Sequence, residues 1–247
     1  MSRNFELLTN VAEERELFRC AETRTQPSAP PPIVLPRFQG AGREELAKLA
    51  QRVFVLSANG ISPRAVAFCG VEHGDGTSWM CAQVAKVLAE QCHARICAVD
   101  LNLASPALHR FLGADNHRGF ADAVNGRGSI REFLEPGPYH NLSVLAAGSS
   151  TNQNSVLISG HLRERLAELR AEFDYLIFDI PPIAQSNDAA VLGRLLDGVV
   201  LVVGAHSTRR EAARRAKDIL EKGHVHLIGT VLNGRTFPIP ESLYRRL

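Results

Sequence analysis

Between residues 65 and 232 the chain alternates short apolar runs with longer stretches in which apolar residues return every three or four positions. Six runs have strand length and are apolar almost throughout: Ala65–Cys69, Ile96–Asp100, Leu142–Leu145, Tyr175–Asp179, Val199–Val203 and Leu227–Leu232. Such runs suit strands covered on both faces, where neither side has to meet water. Helical spacing falls between them at Ser78–Cys92, Val156–Glu172, Asp188–Leu196 and Arg209–Lys222. A further helix is predicted over Arg43–Leu56, separated from the first strand by Gly60 and Pro63. Strands alternating with helices predict an α/β fold, a doubly wound and mostly parallel sheet with helices on both faces. Ligands bind such sheets at the carboxyl ends of the strands, so the polar residues that terminate strands are the ones to weigh.

Upstream the pattern changes. Phe5, Leu8, Val11 and Ala12 fall at helical spacing among Glu6, Glu13, Glu14, Arg15 and Glu16, which predicts an amphipathic helix within residues 1–26. Residues 27–42 carry Pro27, Pro30, Pro31, Pro32 and Pro36 and read as an extended linker, leaving 43–247 as the α/β domain.

Composition narrows the class. With 247 residues, 45% hydrophobic and 22% charged, the chain has room for a full core and the balance of an ordinary globular protein. A net charge of +2 is too small to point to nucleic acid, and no such partner is expected. The five cysteines (Cys20, Cys69, Cys81, Cys92 and Cys97) are odd in number and show no C-x-x-C spacing, so they read as reduced, buried thiols in a cytoplasmic protein. No apolar run nears the ~18 residues of a spanning helix, and no charged-then-apolar leader is present. Membrane association would therefore run through a partner.

The first strand passes into Cys69-Gly70-Val71-Glu72-His73-Gly74-Asp75-Gly76-Thr77-Ser78-Trp79, a glycine-rich turn at the start of a helix. The first N–H groups of a helix lack intrahelical partners and carry partial positive charge, and glycine lets a phosphate approach them. The P-loop pattern G-x-x-x-x-G-K-[ST] ends here as Gly76-Thr77-Ser78, so the hydroxyl for Mg²⁺ is kept and a neutral threonine replaces the lysine. Gly74, Asp75, Gly76, Thr77 and Ser78 are the candidate phosphate cradle. Two later strands end in Asp100 and Asp179. Carboxylates there, with Ser78, would hold Mg²⁺ or position a nucleophile. Alternatively each simply caps its turn.

Other features read more plainly. Trp79 is expected to be a core residue of the helix after the loop. Arg209, Arg210, Arg214, Arg215 and Lys217 read as a solvated helix face ahead of an anion site, with Thr208-x-x-Glu211 at capping-box spacing. His224 and His226 read as solvated or core histidines.

Three segments carry a resemblance: Gly74-Asp75-Gly76-Thr77-Ser78, the string from Asp100-Leu101-Asn102 through Pro106 to Gly113, and Phe173-Asp174-Tyr175-Leu176-Ile177-Phe178-Asp179-Ile180-Pro181-Pro182. They resemble the bacterial tyrosine kinases of capsule and exopolysaccharide systems, P-loop proteins related to the partition and division-site ATPases. The resemblance runs from about Glu44 to Asn233 and takes in Gly148, Asn154, Asp188-Ala189 and Leu232-Asn233. It implies ATP or ADP bound with Mg²⁺, tyrosine autophosphorylation, a membrane polysaccharide co-polymerase or export protein as partner, and assembly into a homo-oligomer. It places Asp100, Asn102 and Asp179 in catalysis and Asn233 against the adenine.

Four departures fall on the parts that define activity. The P-loop lysine is Thr77, and the second position of the family's Asp-x-Asp motif is Asn102, followed by Ala104 and Ser105 where arginines belong. The arginines of its oligomerisation motif fall on Ala47 and Ala50, after Glu44. No C-terminal tyrosine cluster exists, since only Tyr244 follows Tyr175. The resemblance thus implies a kinase scaffold with phosphoryl transfer weak or lost. An active autokinase with an atypical P-loop is the first alternative. A dinucleotide-binding module is another, since Gly74-x-Gly76 follows a strand and Asp100 ends the next, although the third glycine falls on Trp79. A partition-type ATPase would carry an extra lysine where Glu72 stands.

Overall fold

The computed structural model describes residues 41–55, 62–149, 156 and 159–234. The expected N-terminal helix, the linker as far as residue 40, Cys20, Asn154 and Tyr244 lie outside the described residues. The elements below belong to the unit Pro31–Leu247.

In chain order they are α1 (Ala41–Phe54), β1 (Ala65–Gly70), α2 (Thr77–Gln91), β2 (Ile96–Asp100), α3 (Leu108–Leu112) and α4 (Phe120–Asn125). A 3₁₀ turn (Ile130–Phe133) leads to β3 (Glu135–Pro136) and β4 (Leu142–Leu145). The chain closes with α5 (His161–Glu172), β5 (Tyr175–Ile180), α6 (Asp188–Gly193), β6 (Gly198–Gly204), α7 (Arg210–Lys222) and β7 (Leu227–Asn233). The seven strands form one sheet in the order β3-β4-β2-β5-β1-β6-β7. All neighbours are parallel except the short β3, which runs antiparallel to β4.

Every residue of β1, β2 and β5 is buried, which is why these strands read as continuous apolar runs. Their side chains divide between two cores. Ala65, Ala67, Cys69, Cys97, Val99, Leu176, Phe178 and Ile180 face α4 to α7, while Val66, Phe68, Ile96, Ala98, Tyr175 and Ile177 face α1, α2 and α3. On the latter side the Phe54 and Tyr175 rings meet edge to face, 5.5 Å apart.

The predicted elements match the observed ones within a residue or two, with instructive exceptions. Val156 is helical as expected, but α5 begins only at His161, because Ser159 and Gly160 form a turn and the Ser159 hydroxyl accepts from the His161 N–H. The helix expected to reach Leu196 stops at Gly193. The chain then turns to carry Asp197 under β1, where its carboxylate accepts from the Arg64 and Ala65 N–H groups (2.7 and 2.8 Å) and pairs with Arg170. Helices α3 and α4, at 5 and 6 residues, are too short to show a period.

Candidate functional site

The carboxyl ends of β1, β5 and β2 lie side by side, and the chain leaving each makes one wall of the site. From β1 comes the glycine-rich loop. Gly74 and Gly76 have φ of 93° and 81°, left-handed backbone that a side chain would strain. A Cβ on Gly76 would also collide with the Asn233 amide. The 15-residue α2 starts at Thr77 with no side-chain cap, so its first N–H groups open toward the loop.

Asp75 is the latch of this loop. Its buried carboxylate accepts from the Glu72 N–H (2.9 Å) and from the hydroxyls of Thr208 (2.6 Å) and Ser207 (3.3 Å) at the start of α7. Asn233, the last residue of β7, donates to the Asp75 carbonyl (2.9 Å). Thr208 is therefore committed to the loop and to the Gly204 N–H, and the capping box expected with Glu211 does not form: α7 has no side-chain cap. Ser207 and Thr208 are site residues that sequence reasoning missed, since a hydroxyl pair before a helix reads as a cap.

Asp100 and Asp179 are register partners on neighbouring strands, and both are fully buried. The Asp100 carboxylate accepts from the N–H groups of Asn102 (3.0 Å), Ala107 (3.1 Å) and Leu108 (3.1 Å), so it does cap the next turn as well as border the site. Burial raises its pKa to about 7 against the pull of those three N–H groups. Asp179 has no hydrogen-bond partner for either oxygen among the described residues. Burial, and then the charge of Asp100, push its pKa well above the usual carboxylate range. The Ser78 hydroxyl faces it and opposes the rise without closing a hydrogen bond. Asn102 is buried beside the pair with its side-chain oxygen unpartnered.

Loop glycines, an open helix N-terminus and an orphaned buried carboxylate fit a phosphate–Mg²⁺ group. Among the described residues no three His, Cys, Asp or Glu side chains gather as a metal cage. A divalent ion here would rest on Asp179, Asp100 and Ser78, with waters and phosphate oxygens completing its shell.

Two readings change. Trp79 is not a core residue: it is 39% exposed on the first turn of α2, because Ser78 takes the inward position and Met80 and Cys81 the buried ones. A dinucleotide arrangement is disfavoured by topology, since such folds pair the first two strands directly whereas β5 lies between β1 and β2 here, moving Asp100 away from the ribose side of the loop. His224 and His226 are both exposed. Cys69, Cys81, Cys92 and Cys97 are free and buried as expected, and burial pushes the Cys69 thiol up to about 12, which leaves it inert. Gly148 lies at the carboxyl end of β4, where its N–H is held by Asn116 (3.0 Å).

A family model described as ParA, the NUBPL iron-transfer P-loop NTPase, matches residues 64–245. The chain is 31% identical over 163 residues to the tyrosine-protein kinase YwqD of Bacillus subtilis, covering 66% of this chain and 68% of that one. It belongs to the bacterial tyrosine-kinase family of P-loop proteins. It is 26% identical to the tyrosine-protein kinase Wzc of Salmonella typhi, but the match covers 72% of this chain and only 24% of that much longer relative. The solved VpsO kinase domain superposes with a TM-score of 0.69 at 25% identity, covering 78% of this chain and 97% of that one. No helix among the described residues is long and apolar enough to cross a membrane.

Proposed function

We propose that this protein is a nucleotide-binding, kinase-like regulator of exopolysaccharide or capsule synthesis in which tyrosine phosphorylation is weak or lost. It acts with a membrane polysaccharide export or co-polymerase protein. The observation that carries this reading is the contrast within the loop: its backbone cradle, its hydroxyl at Ser78 and the waiting carboxylate of Asp179 are intact, while Thr77 supplies no charge. Nucleotide phosphates would meet the first N–H groups of α2, and Mg²⁺, which neutralises phosphate charge when bound, would be held by Ser78 and Asp179 beside Asp100. Asn233 would face the base while holding the loop through Asp75.

Magnitudes separate binding from catalysis. Losing one charge-assisted hydrogen bond costs about 1.5–3 kcal/mol of affinity, whereas losing a preorganised donor to developing charge costs about 10²–10³ in rate. Weak binding survives the first loss, and efficient transfer does not survive the second.

Calorimetric titration with Mg·ATP, Mg·ADP and adenosine tests the reading. The expected result is weak binding of both nucleotides that tightens about 10- to 100-fold in a Thr77→Lys variant, with adenosine unaffected. Equal affinities in the two proteins would mean that the loop is not built for phosphate. Near-stoichiometric, ATP-dependent phosphotyrosine by mass spectrometry would instead make the protein an active autokinase with an atypical loop.

A further inference from the structure

Helix α7 turns Ala212, Ala216 and Leu220 into the core, with Ala213 half-buried beside them, and shows its other residues to solvent. Residues 209–222 carry six basic side chains against three acidic ones. Lys217 pairs with Glu221 (3.1 Å), but the side chains of Arg209, Arg210, Arg214 and Arg215 form no hydrogen bond or ion pair among the described residues. Glu211 stands four residues before Arg215, a spacing at which a pair is usually made, and it is not made here.

Beside this face lies a cleft of about 500 Å³. One side is α7, through Ala212, Arg215, Ala216 and Ile219, and the rest is the segment 183–187 together with Val71 and Glu72 of the loop. Both sides are fixed. The Ile183 and Ala184 N–H groups donate to the carbonyls of Gly70 and Val71 (3.0 and 3.1 Å), and Thr208 pins the start of α7 to Asp75. A cleft held this way is shaped before anything enters it, which lowers the ordering cost of binding.

We propose that this cleft is a docking site for an acidic peptide segment of a partner protein. An apolar side chain of the peptide packs against Ile219 over a floor that Ala212 and Ala216 close, and a neighbouring carboxylate pairs with Arg215. The other arginines of residues 209–214 add to the attractive field from the same segment, and Glu72 repels a carboxylate from the loop end, which sets the direction in which the peptide lies. A concave lining in which apolar side chains stand beside Gln185, Ser186, Asn187 and Arg215 suits an inserted peptide side chain flanked by polar groups better than a flat bilayer, and Glu72 disfavours a phosphate backbone. The proposal stands apart from the nucleotide reading, because it needs neither Ser78 nor the strand-end carboxylates of Asp100 and Asp179.

The test is fluorescence anisotropy of the full chain with a labelled dodecapeptide of glutamates and serines around a central Leu-Leu pair. Saturable binding is expected. It should weaken about tenfold in Arg215→Glu and in Ile219→Lys, both exposed positions where folding is unaffected, and should vanish when the leucines become serines. Arg52→Glu on α1, across the sheet, removes the same charge and should change affinity less than about threefold. An equal loss in Arg52→Glu would reduce the effect to bulk charge and overturn the proposal. So would the absence of saturable binding, or an Arg215-dependent affinity for phosphatidylglycerol vesicles or duplex DNA that exceeds the one for the peptide.

Discussion

The ends of β2 and β5 differ in a way their sequences disguise. Each closes on an aspartate, the two stand opposite each other in register, and both are fully buried. Among the described residues Asp100 nevertheless has three backbone donors and Asp179 has none. The reason lies in the residues that follow. Two positions after Asp100 comes Asn102, whose N–H turns back to the carboxylate, and the chain then brings round the first N–H groups of α3. Two and three positions after Asp179 come Pro181 and Pro182, which have no N–H to give. Asp100 is thus tied into the fold while Asp179 is left facing the phosphate loop, its burial cost uncompensated by the protein itself. An unpaired buried carboxylate is unfavourable in the free protein and useful only where a cation can meet it.

If that contrast is right, removing the two carboxylates has opposite effects on stability. Asp100→Ala strands three N–H groups in a buried turn and is expected to cost about 2–4 kcal/mol in urea unfolding. Asp179→Asn should do the reverse at pH 8, raising the stability of the nucleotide-free protein by about 1–3 kcal/mol while abolishing Mg²⁺-dependent nucleotide binding. Two variants that lose similar stability would show that the carboxylates are equivalent and that Asp179 has a structural partner.

The pH profile separates them further. A carboxyl whose folded pKa lies above its unfolded value takes up a proton on folding, so its favourable contribution is complete below pH ~4 and is lost as pH rises through the folded value. For Asp100 that value is about 7, and Asp179 is shifted in the same direction. Stability of the free protein is therefore expected to fall by about 1–3 kcal/mol between pH 5 and 8. The fall should be shallower in Asp179→Asn, because the proton that Asp179 takes up on folding is then removed from the balance. An unchanged slope would mean that Asp179 does not contribute to the fall.

How much of this could be read from residues alone follows from the range of the forces involved. The sheet was readable because strands buried on both faces must be apolar at every position, and the loop because glycine at Gly74 and Gly76 answers a local backbone need. The aspartates were visible as strand ends, but their division of labour needed the register that sets them opposite each other. The latch from Asp75 to Thr208 joins residues far apart in the chain, and nothing near Thr208 announces it. Trp79 misled because a large apolar side chain in a helix is usually buried, whereas here the site itself claims the neighbouring inward position for Ser78.

The smallest expected effect concerns that serine. Ser78 is the single group that holds the pKa of Asp179 down, and it does so from the first turn of α2 without a closed hydrogen bond. Ser78→Ala should therefore change stability little at pH 5, toward the protonated side of a raised carboxyl, where the hydroxyl has less charge to favour. At pH 8 the variant should be less stable by up to about 1 kcal/mol, since any charge on the carboxylate loses the hydroxyl that favours it. The same substitution removes the hydroxyl proposed to hold Mg²⁺, so nucleotide affinity should drop more with Mg²⁺ present than without it. Unfolding curves at the two pH values, with calorimetry in Mg²⁺ and in a chelator, read both effects. A stability loss as large at pH 5 as at pH 8 would make Ser78 a packing residue of α2, and the charge of Asp179 would then be controlled by burial and Asp100 alone.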